Sequence, residues 1–183
     1  MMDRPYIICH MVTSLDGKVT GDFLSQPESE SACEIYYDIN RTLKSNGFIC
    51  GRVTMEGSFT GGWYPDLTRY EPIDNKNDFI PDNLSGFYAV SFDPKGKLGW
   101  KNSKIIDEDP GYDDAQIIEV LTEQADGRYL AYLQSMCLPY IFAGEKEIDV
   151  KIALEKLKTL MGINSILLEG GSIVNGYFQR ADV

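Results

Sequence analysis

The chain is poor in the side chains that metal and nucleophile chemistry most often use. Its 183 residues include one histidine, His10, and four cysteines that stand singly, with no Cys-x-x-Cys pair. These scarcities argue against a zinc site of the usual ligand types, so no metal is expected. A Ser-His-Asp triad would have to be built around His10. Because His10 follows a strand-like apolar run, we predict that it packs in the core and that the cysteines are small buried thiols.

Positive charge and long apolar runs are also scarce. The chain has 17 Lys and Arg against 28 Asp and Glu, a formal net charge of −11. This balance argues against non-specific binding to nucleic acid and against adhesion to anionic membranes. No apolar run approaches the roughly 20 residues of a membrane span, and the amino terminus lacks the features of a signal peptide. We therefore expect a cytoplasmic protein with a small-molecule partner, and an anionic ligand would need a locally basic site.

A glycine-rich bend between a strand and a helix is the first candidate site. Residues 166–168 form an apolar run suited to a buried strand, and a helix is predicted to follow, with Ser172 as its cap and Arg180 near its end. The connecting segment is Glu169-Gly170-Gly171-Ser172-Ile173. Glycines let an anion approach the backbone closely, and the positive end of the helix points toward it. A tight strand-to-helix connection without a ligand gives the same pattern.

A second bend of the same type occurs earlier in the chain. Residues 48–50 form a short apolar strand that runs into Gly51-Arg52-Val53-Thr54-Met55-Glu56. Gly51 permits close approach, Arg52 offers a planar fork for a phosphate, and Thr54 can cap a short helix while donating its hydroxyl to a ligand. A helix cap beside a solvated arginine is the alternative for an isolated bend. Two such bends together favour a phosphate-carrying ligand.

Strands and helices alternate along most of the chain. Strands are predicted at residues 6–11, 48–50, 87–92, 105–106, 117–121, 140–143 and 166–168, and helices at 29–44, 123–136, 150–161 and 172–180. This order favours a single α/β domain with a mainly parallel sheet and helices on both faces, in which ligands bind at the carboxyl ends of the strands. Asp149 and Gly162 are predicted to bound the third helix. Tyr36, on the apolar stripe of the first helix, is assigned to packing, and residues 58–86 to a long loop.

The two bends together resemble the dihydrofolate-reductase-like fold, a three-layer α/β/α arrangement around a mainly parallel, mixed central sheet. More closely, two further segments are similar to the reductase domain of riboflavin biosynthesis. These segments are Thr13-Ser14-Leu15-Asp16-Gly17-Lys18 and Leu167-Leu168-Glu169-Gly170-Gly171 with Asn175-Gly176. The resemblance runs from about residue 4 to residue 183 and is strongest at these motifs. It implies one reductase domain over residues 1–183 that lacks the C-terminal strands of the family.

The resemblance implies NADPH-dependent reduction of a ribosylamino-pyrimidine phosphate to its ribitylamino form, by a homodimer. The protein would mainly align the two bound molecules, since the cofactor carries the chemistry. Asp16 is the first candidate for the catalytic proton donor, and the substrate would be bound by Asp16, Lys18 and Glu169. The residues implied for cofactor binding are Gly51, Arg52, Thr54, Gly170, Gly171, Ser172 and Ile173.

Other functions are compatible with the same features. A reductase of this fold could act on a pterin or another pyrimidine, and a module that binds NADPH without catalysis would carry the same two bends. An interaction protein that uses the long loop at residues 58–86 would need neither of the two bends. The zinc-deaminase motifs found in the bifunctional members of the family, His-x-Glu and Pro-Cys-x-x-Cys, are absent, so any deamination would belong to another protein.

Overall fold

Six parallel strands form the centre of the structure, a computed structural model that describes residues 3–82, 84 and 86–183. In chain order the strands are β1 (Tyr6–Cys9), β2 (Gly47–Gly51), β3 (Tyr88–Phe92), β4 (Gln116–Leu121), β5 (Tyr140–Phe142) and β6 (Ser165–Gly170). They lie side by side in the order β1-β6-β2-β3-β4-β5, and each neighbouring pair is parallel. Within the described residues, antiparallel pairing occurs only as isolated bridges, such as Phe79 with Tyr140. The sheet is therefore parallel rather than mixed.

Helices cover both faces of this sheet. They are α1 (Glu30–Thr42), α2 (Arg52–Met55), α3 (Gly127–Ser135), α4 (Val150–Met161) and α5 (Ser172–Ala181). One apolar core joins α3 to the strands, with Tyr129 and Leu133 packed near Phe48 and Ile117. The other joins α4 and α5 to the opposite face, where residues such as Leu154 meet the strands. The two cores confirm the predicted three-layer α/β/α architecture, since alternate residues of buried parallel strands face opposite helices.

Several local predictions are confirmed, and others need correction. The side chain of Asp149 accepts hydrogen bonds from two N–H groups of α4, and Gly162 ends that helix with a left-handed φ of 69°. The helix predicted over residues 123–136 begins later, at Gly127, because the Asp126 carboxylate accepts from Arg128 N–H and caps it there. The strand predicted at residues 105–106 is wrong, because only an isolated bridge forms, at Lys104.

The predictions for the cysteines and for helix α1 hold only in part. Cys50 is buried, but Cys9 and Cys137 are exposed. On α1 the buried residue is the polar Asn40, whereas Ile39, which the helical spacing places with Tyr36 on the predicted apolar stripe, is 43% exposed. The stripe therefore does not mark the buried face of this helix. Within the part of the chain that the structure describes, no helix is long and apolar enough to cross a membrane.

Two acidic side chains are fully buried, that of Asp93 directly after β3 and that of Glu119 within β4. Asp93 accepts hydrogen bonds from the backbone N–H groups of Lys97 and Leu98, and Glu119 accepts one from the Trp100 indole. Burial raises the pKa of both carboxyls, and their mutual repulsion raises the pKa of Glu119 further. Since a buried charge is costly when its oxygens lack partners, Glu119 favours its protonated form in the folded protein.

Candidate functional site

The two predicted glycine bends meet at the carboxyl ends of neighbouring strands. Residue 50 at the end of β2 pairs with Gly170 at the end of β6. The Gly171 N–H donates a hydrogen bond to Thr54 Oγ1, 3.0 Å away, which ties one bend directly to the other. Thr54 lies within α2 rather than capping it, because the helix begins at Arg52. The bends therefore converge on one crevice, as two parts of a single ligand site would.

The conformation at Gly170 is one that favours glycine. Its φ is 95°, and a Cβ at this position would lie 3.0 Å from the sulfur of Met11. L-residues with a side chain rarely adopt such a φ. The peptide bond that joins Gly170 to Gly171 is cis. The positive φ of Gly170 and its close approach to Met11 explain why a glycine follows Glu169.

A hollow of about 340 Å³ lies between the two bends, and we call it the cofactor hollow. Its lining residues are Thr20, Gly51, Arg52, Val53, Thr54, Phe92, Pro94, Ile148, Gly171, Ser172, Ile173, Val174 and Tyr177. Helix α5 starts here at Ser172, with Gly171 as the residue before it and no side-chain cap. The prediction that Ser172 caps this helix is therefore wrong. Without a cap, the first N–H groups of α5 are available to an anion.

Arg52 is the only cation among the described residues that line the cofactor hollow. Its Nη1 lies 2.7 Å from Glu56 Oε2, one helical turn further along. Both side chains are about one-third exposed, so this ion pair is weak and an incoming phosphate can compete with it. The apolar remainder of the wall, which includes Val53 and Tyr177, suits an aromatic base. The residues present thus fit a dinucleotide with a phosphate near Arg52.

A second hollow of about 400 Å³ adjoins the first, and we call it the substrate hollow. Its lining residues are Tyr36, Tyr37, Phe48, Cys50, Thr54, Ser58, Phe59, Asp107, Glu108, Asp109, Tyr112 and Glu169. A third hollow of about 380 Å³, beside Met11 and Val19, shares Tyr36, Tyr37, Thr54 and Glu169 with it. Thr54 lines all three hollows, so molecules bound in the cofactor and substrate hollows would meet beside it.

Glu169 is the centre of a buried polar cluster beside the substrate hollow. Its Oε1 lies 3.0 Å from His10 Nδ1 and accepts a hydrogen bond from Asn40 Nδ2 at 2.7 Å. Its Oε2 accepts from the Tyr112 hydroxyl at 3.1 Å. Tyr36 stacks on the His10 ring, with 4.1 Å between the ring centroids. These donors fix the orientation of a carboxylate whose side chain is only 3% exposed.

Sequence reasoning singled out Glu169 but missed its partners. His10 is buried, as predicted, but it belongs to this polar cluster rather than to an apolar core. Tyr36, assigned to packing, lines two hollows. Asn40 and Tyr112 were not singled out. A polar residue on the inner face of an amphipathic helix is the one sequence signal that could have indicated Asn40.

The acid–base properties of the hollow follow from its burial. Desolvation raises the pKa of the Tyr36 and Tyr112 hydroxyls, and the nearby Glu169 raises both further, so both keep their protons. Burial also raises the pKa of the Cys50 thiol, which makes it a poor nucleophile. Among the described residues, no group of three or more His, Cys, Asp or Glu side chains is placed to hold a metal ion. The hollow thus offers hydrogen bonds and one oriented carboxylate.

Asp16 and Lys18 lie apart from this cluster, on an exposed turn. Asp16 accepts a hydrogen bond from Ser14 Oγ at 2.5 Å and pairs with Lys18 Nζ at 2.6 Å. The hydrogen bonds from Lys18 and then Ser14 lower the pKa of Asp16. Neither Asp16 nor Lys18 lines one of the three hollows. The catalytic role of Asp16 and the substrate contacts of Asp16 and Lys18 stay predictions.

Comparison with solved structures gives a consistent picture of the fold. The chain aligns with the riboflavin biosynthesis reductase of Saccharomyces cerevisiae at a TM-score of 0.58 and 16% identity, covering 100% of this chain and 70% of that one. A pyrimidine reductase-like protein from Corynebacterium diphtheriae aligns at 0.59 and 14% identity, covering 96% and 69%. Neither the scan of family models nor the search of curated proteins returns a match.

A longer protein shares the fold as well. The diaminohydroxyphosphoribosylaminopyrimidine deaminase/5-amino-6-(5-phosphoribosylamino)uracil reductase of Thermotoga maritima aligns at a TM-score of 0.50 and 18% identity. The alignment covers 97% of this chain but 42% of that one. The parallel sheet, covered by helices on both faces, therefore defines a three-layer α/β protein with a crevice between its two glycine bends. Its fold is that of the riboflavin-biosynthesis reductases, as the resemblance predicted.

Proposed function

We propose that the protein is an NADPH-dependent pyrimidine reductase of riboflavin biosynthesis, which reduces a ribosylamino-pyrimidine to its ribitylamino form. The observation that carries this proposal is the hydrogen bond from Gly171 N–H to Thr54 Oγ1, 3.0 Å long. Thr54 also lines both the cofactor hollow and the substrate hollow, which supports a reaction between two molecules bound on either side of it. A redox reaction between two bound molecules needs this adjacency.

The residues of the cofactor hollow suit the anionic groups of NADPH. The open N–H groups of α5 at Ser172 and Ile173 would bind the pyrophosphate, with Gly170 and Gly171 allowing close approach. Arg52 would bind the 2′-phosphate through its planar fork. When bound, the cofactor supplies the hydride.

The residues of the substrate hollow would orient the sugar. Glu169 can accept hydrogen bonds from hydroxyl or N–H groups, and aromatic rings form part of the wall around it. In the reduction, hydride adds to C1 of the opened imine and a proton adds to the nitrogen. His10 Nδ1 lies 3.0 Å from Glu169 Oε1, which orients the carboxylate beside the hollow. Asp16, which the resemblance assigns as proton donor, would have to approach from its exposed turn.

The proposal is tested by mixing the protein with NADPH and a ribosylamino-pyrimidine, supplied both with and without its 5-phosphate. We expect loss of the absorbance of the reduced cofactor and formation of the ribitylamino product by mass spectrometry. A panel with pterins and other pyrimidines shows whether the acceptor is correctly identified. NADPH binding without reduction of any acceptor would contradict the proposal and indicate a non-catalytic binding module.

A further inference from the structure

Asn40 is a buried amide that contacts the site from behind its wall. It is the buried residue of α1 and is 4% exposed. Its Nδ2 donates a hydrogen bond to Glu169 Oε1 at 2.7 Å and lies 3.4 Å from the Tyr112 hydroxyl. Asn40 lines none of the three hollows, whereas Glu169 and Tyr112 both line the substrate hollow. Asn40 therefore acts on a bound molecule through these two neighbours and not by contact.

The hydrogen bonds of Glu169 leave one acceptor position for a ligand. A carboxylate offers about four acceptor positions, two on each oxygen. On Oε1 both positions are used, one by Asn40 and one by His10 Nδ1 at 3.0 Å, a contact that is favourable when Nδ1 carries a hydrogen. On Oε2 one position is used by the Tyr112 hydroxyl at 3.1 Å. The remaining position on Oε2 is the one that can accept from an N–H or O–H group of the substrate.

Asn40 also joins the two side chains that line the hollow to each other. An amide nitrogen carries two hydrogens, and here one faces Glu169 Oε1 and the other faces the Tyr112 oxygen. The Tyr112 hydroxyl in turn donates to Oε2, which closes a ring of three side chains. A Cβ at Gly111 would lie 3.1 Å from Asn40 Oδ1, so a glycine lets the segment that carries Tyr112 pass this close. Loss of the amide would therefore loosen both the carboxylate and the hydroxyl.

We infer that Asn40 is a positioning residue for the reduction, which orients Glu169 so that the remaining position of Oε2 faces the substrate. This inference rests on the proposed function and adds a residue to the same site. A carboxylate that is already oriented favours reaction because none of the binding energy is spent on ordering it. Loss of Asn40 should therefore lower kcat, while NADPH should bind as before in a hollow that Asn40 does not line.

A double-mutant cycle in the intact chain tests whether Asn40 acts through Glu169. Asn40→Ala should lower kcat for the ribosylamino-pyrimidine by about tenfold when Glu169 is present. In the Glu169→Gln background the same substitution should lower kcat by less than about threefold, because the group that it orients is already lost. Equal losses in the two backgrounds would overturn the inference. So would a rise in the Kd for NADPH, measured by calorimetry, of the same size as the loss in kcat, because it would indicate a general structural role.

A substitution of nearly the same shape gives a second test. Asn40→Asp places a carboxyl group beside Glu169 Oε1, where it can donate a hydrogen bond when protonated and repels Glu169 when ionised. Burial and this repulsion raise the pKa of the introduced carboxyl group above its ordinary value. The kcat of the variant relative to that of the wild type should therefore fall by about tenfold or more as the pH rises from about 6 to about 9. A ratio that stays constant with pH would overturn the inference while leaving the reductase function intact.

A matched control adds the same charge elsewhere. Asn46 precedes β2 at the end opposite Gly51, and its Oδ1 accepts from Asn164 N–H at 2.8 Å. Asn46→Asp keeps this acceptor, so its kcat relative to the wild type should not change with pH. The ratio also removes the titrations that variant and wild type share, those of the groups that face Glu169, which are His10, Tyr36, Tyr37, Cys50 and Tyr112. Reduction of no acceptor by the wild type would reject the proposed function, and the inference with it.

Discussion

Replacing the hydroxyl of Thr54 tests the link between the two bends most directly. Thr54→Val keeps the shape of the side chain but removes the acceptor of the Gly171 N–H hydrogen bond, 3.0 Å long in the folded protein. A partly buried N–H without an acceptor costs about 1–2 kcal/mol. We expect the free energy of unfolding to fall by about this amount. Thr54→Ser keeps the hydroxyl and is the matched control, which should lose less stability.

The same substitution should weaken NADPH binding. If the bend at Gly171 is no longer held, part of the binding energy must be spent on ordering it, and about 1.4 kcal/mol corresponds to a tenfold change in Kd. We therefore expect Kd to rise by up to about tenfold in Thr54→Val, measured by calorimetry, and to change much less in Thr54→Ser. Equal stability and equal Kd for the two variants would refute the view that this hydrogen bond organises the cofactor hollow.

Five further substitutions test the other parts of the site and the core. Glu169→Gln should lower kcat/KM by about 100-fold or more, since it disrupts a buried carboxylate with three partners, whereas Asp16→Asn on its exposed turn should have a smaller effect. Arg52→Ala should weaken NADPH by about tenfold and NADH little, while Glu56→Gln, which frees Arg52, should strengthen NADPH. Because the folded-state pKa of Glu119 is raised well above the ordinary value of 4.5, stability should fall as pH rises above about 4.5, and Glu119→Gln should reduce that fall.

Each of these predictions has an outcome that would contradict it. A larger loss in Asp16→Asn than in Glu169→Gln would place the essential carboxylate on the turn. If Arg52→Ala weakened the binding of NADPH and NADH equally, Arg52 would not be the residue that binds the 2′-phosphate. For Glu119 the measurement is urea unfolding at several pH values. The free energy of unfolding should decrease with rising pH because the folded state retains a proton that the unfolded state has lost. A wild-type stability that rises over this range would be inconsistent with a protonated Glu119.

The features that were predictable from the sequence are those set by short segments of chain. Helix α4 begins after Asp149 and ends before Gly162, as predicted, because caps and left-handed turns depend on one or two residues. The glycine bends at Gly51 and Gly170 were predictable for the same reason. A glycine at the end of an apolar strand is a local pattern that few positions of the chain show. The convergence of the bends followed from the parallel-sheet rule and the family resemblance, whereas the order of the strands in the sheet was not predicted.

The polar cluster could not be predicted because its members come from four distant parts of the chain. His10 lies 159 residues from Glu169 in sequence, Asn40 lies 129 away and Tyr112 lies 57 away. Nothing local to any of them indicates a shared partner, so His10 was assigned to an apolar core. The same applies to Glu119, whose burial follows from its place in a strand covered on both faces.

Thr54 forms part of the wall of every hollow described, and this has a thermodynamic consequence. A ligand in one hollow that moves or orders Thr54 alters the binding free energy of a ligand in the neighbouring hollow. If the proposed function holds, the factor by which NADPH changes the affinity for the pyrimidine must equal the factor by which the pyrimidine changes the affinity for NADPH. Titrations in the two orders of addition should therefore give the same coupling free energy.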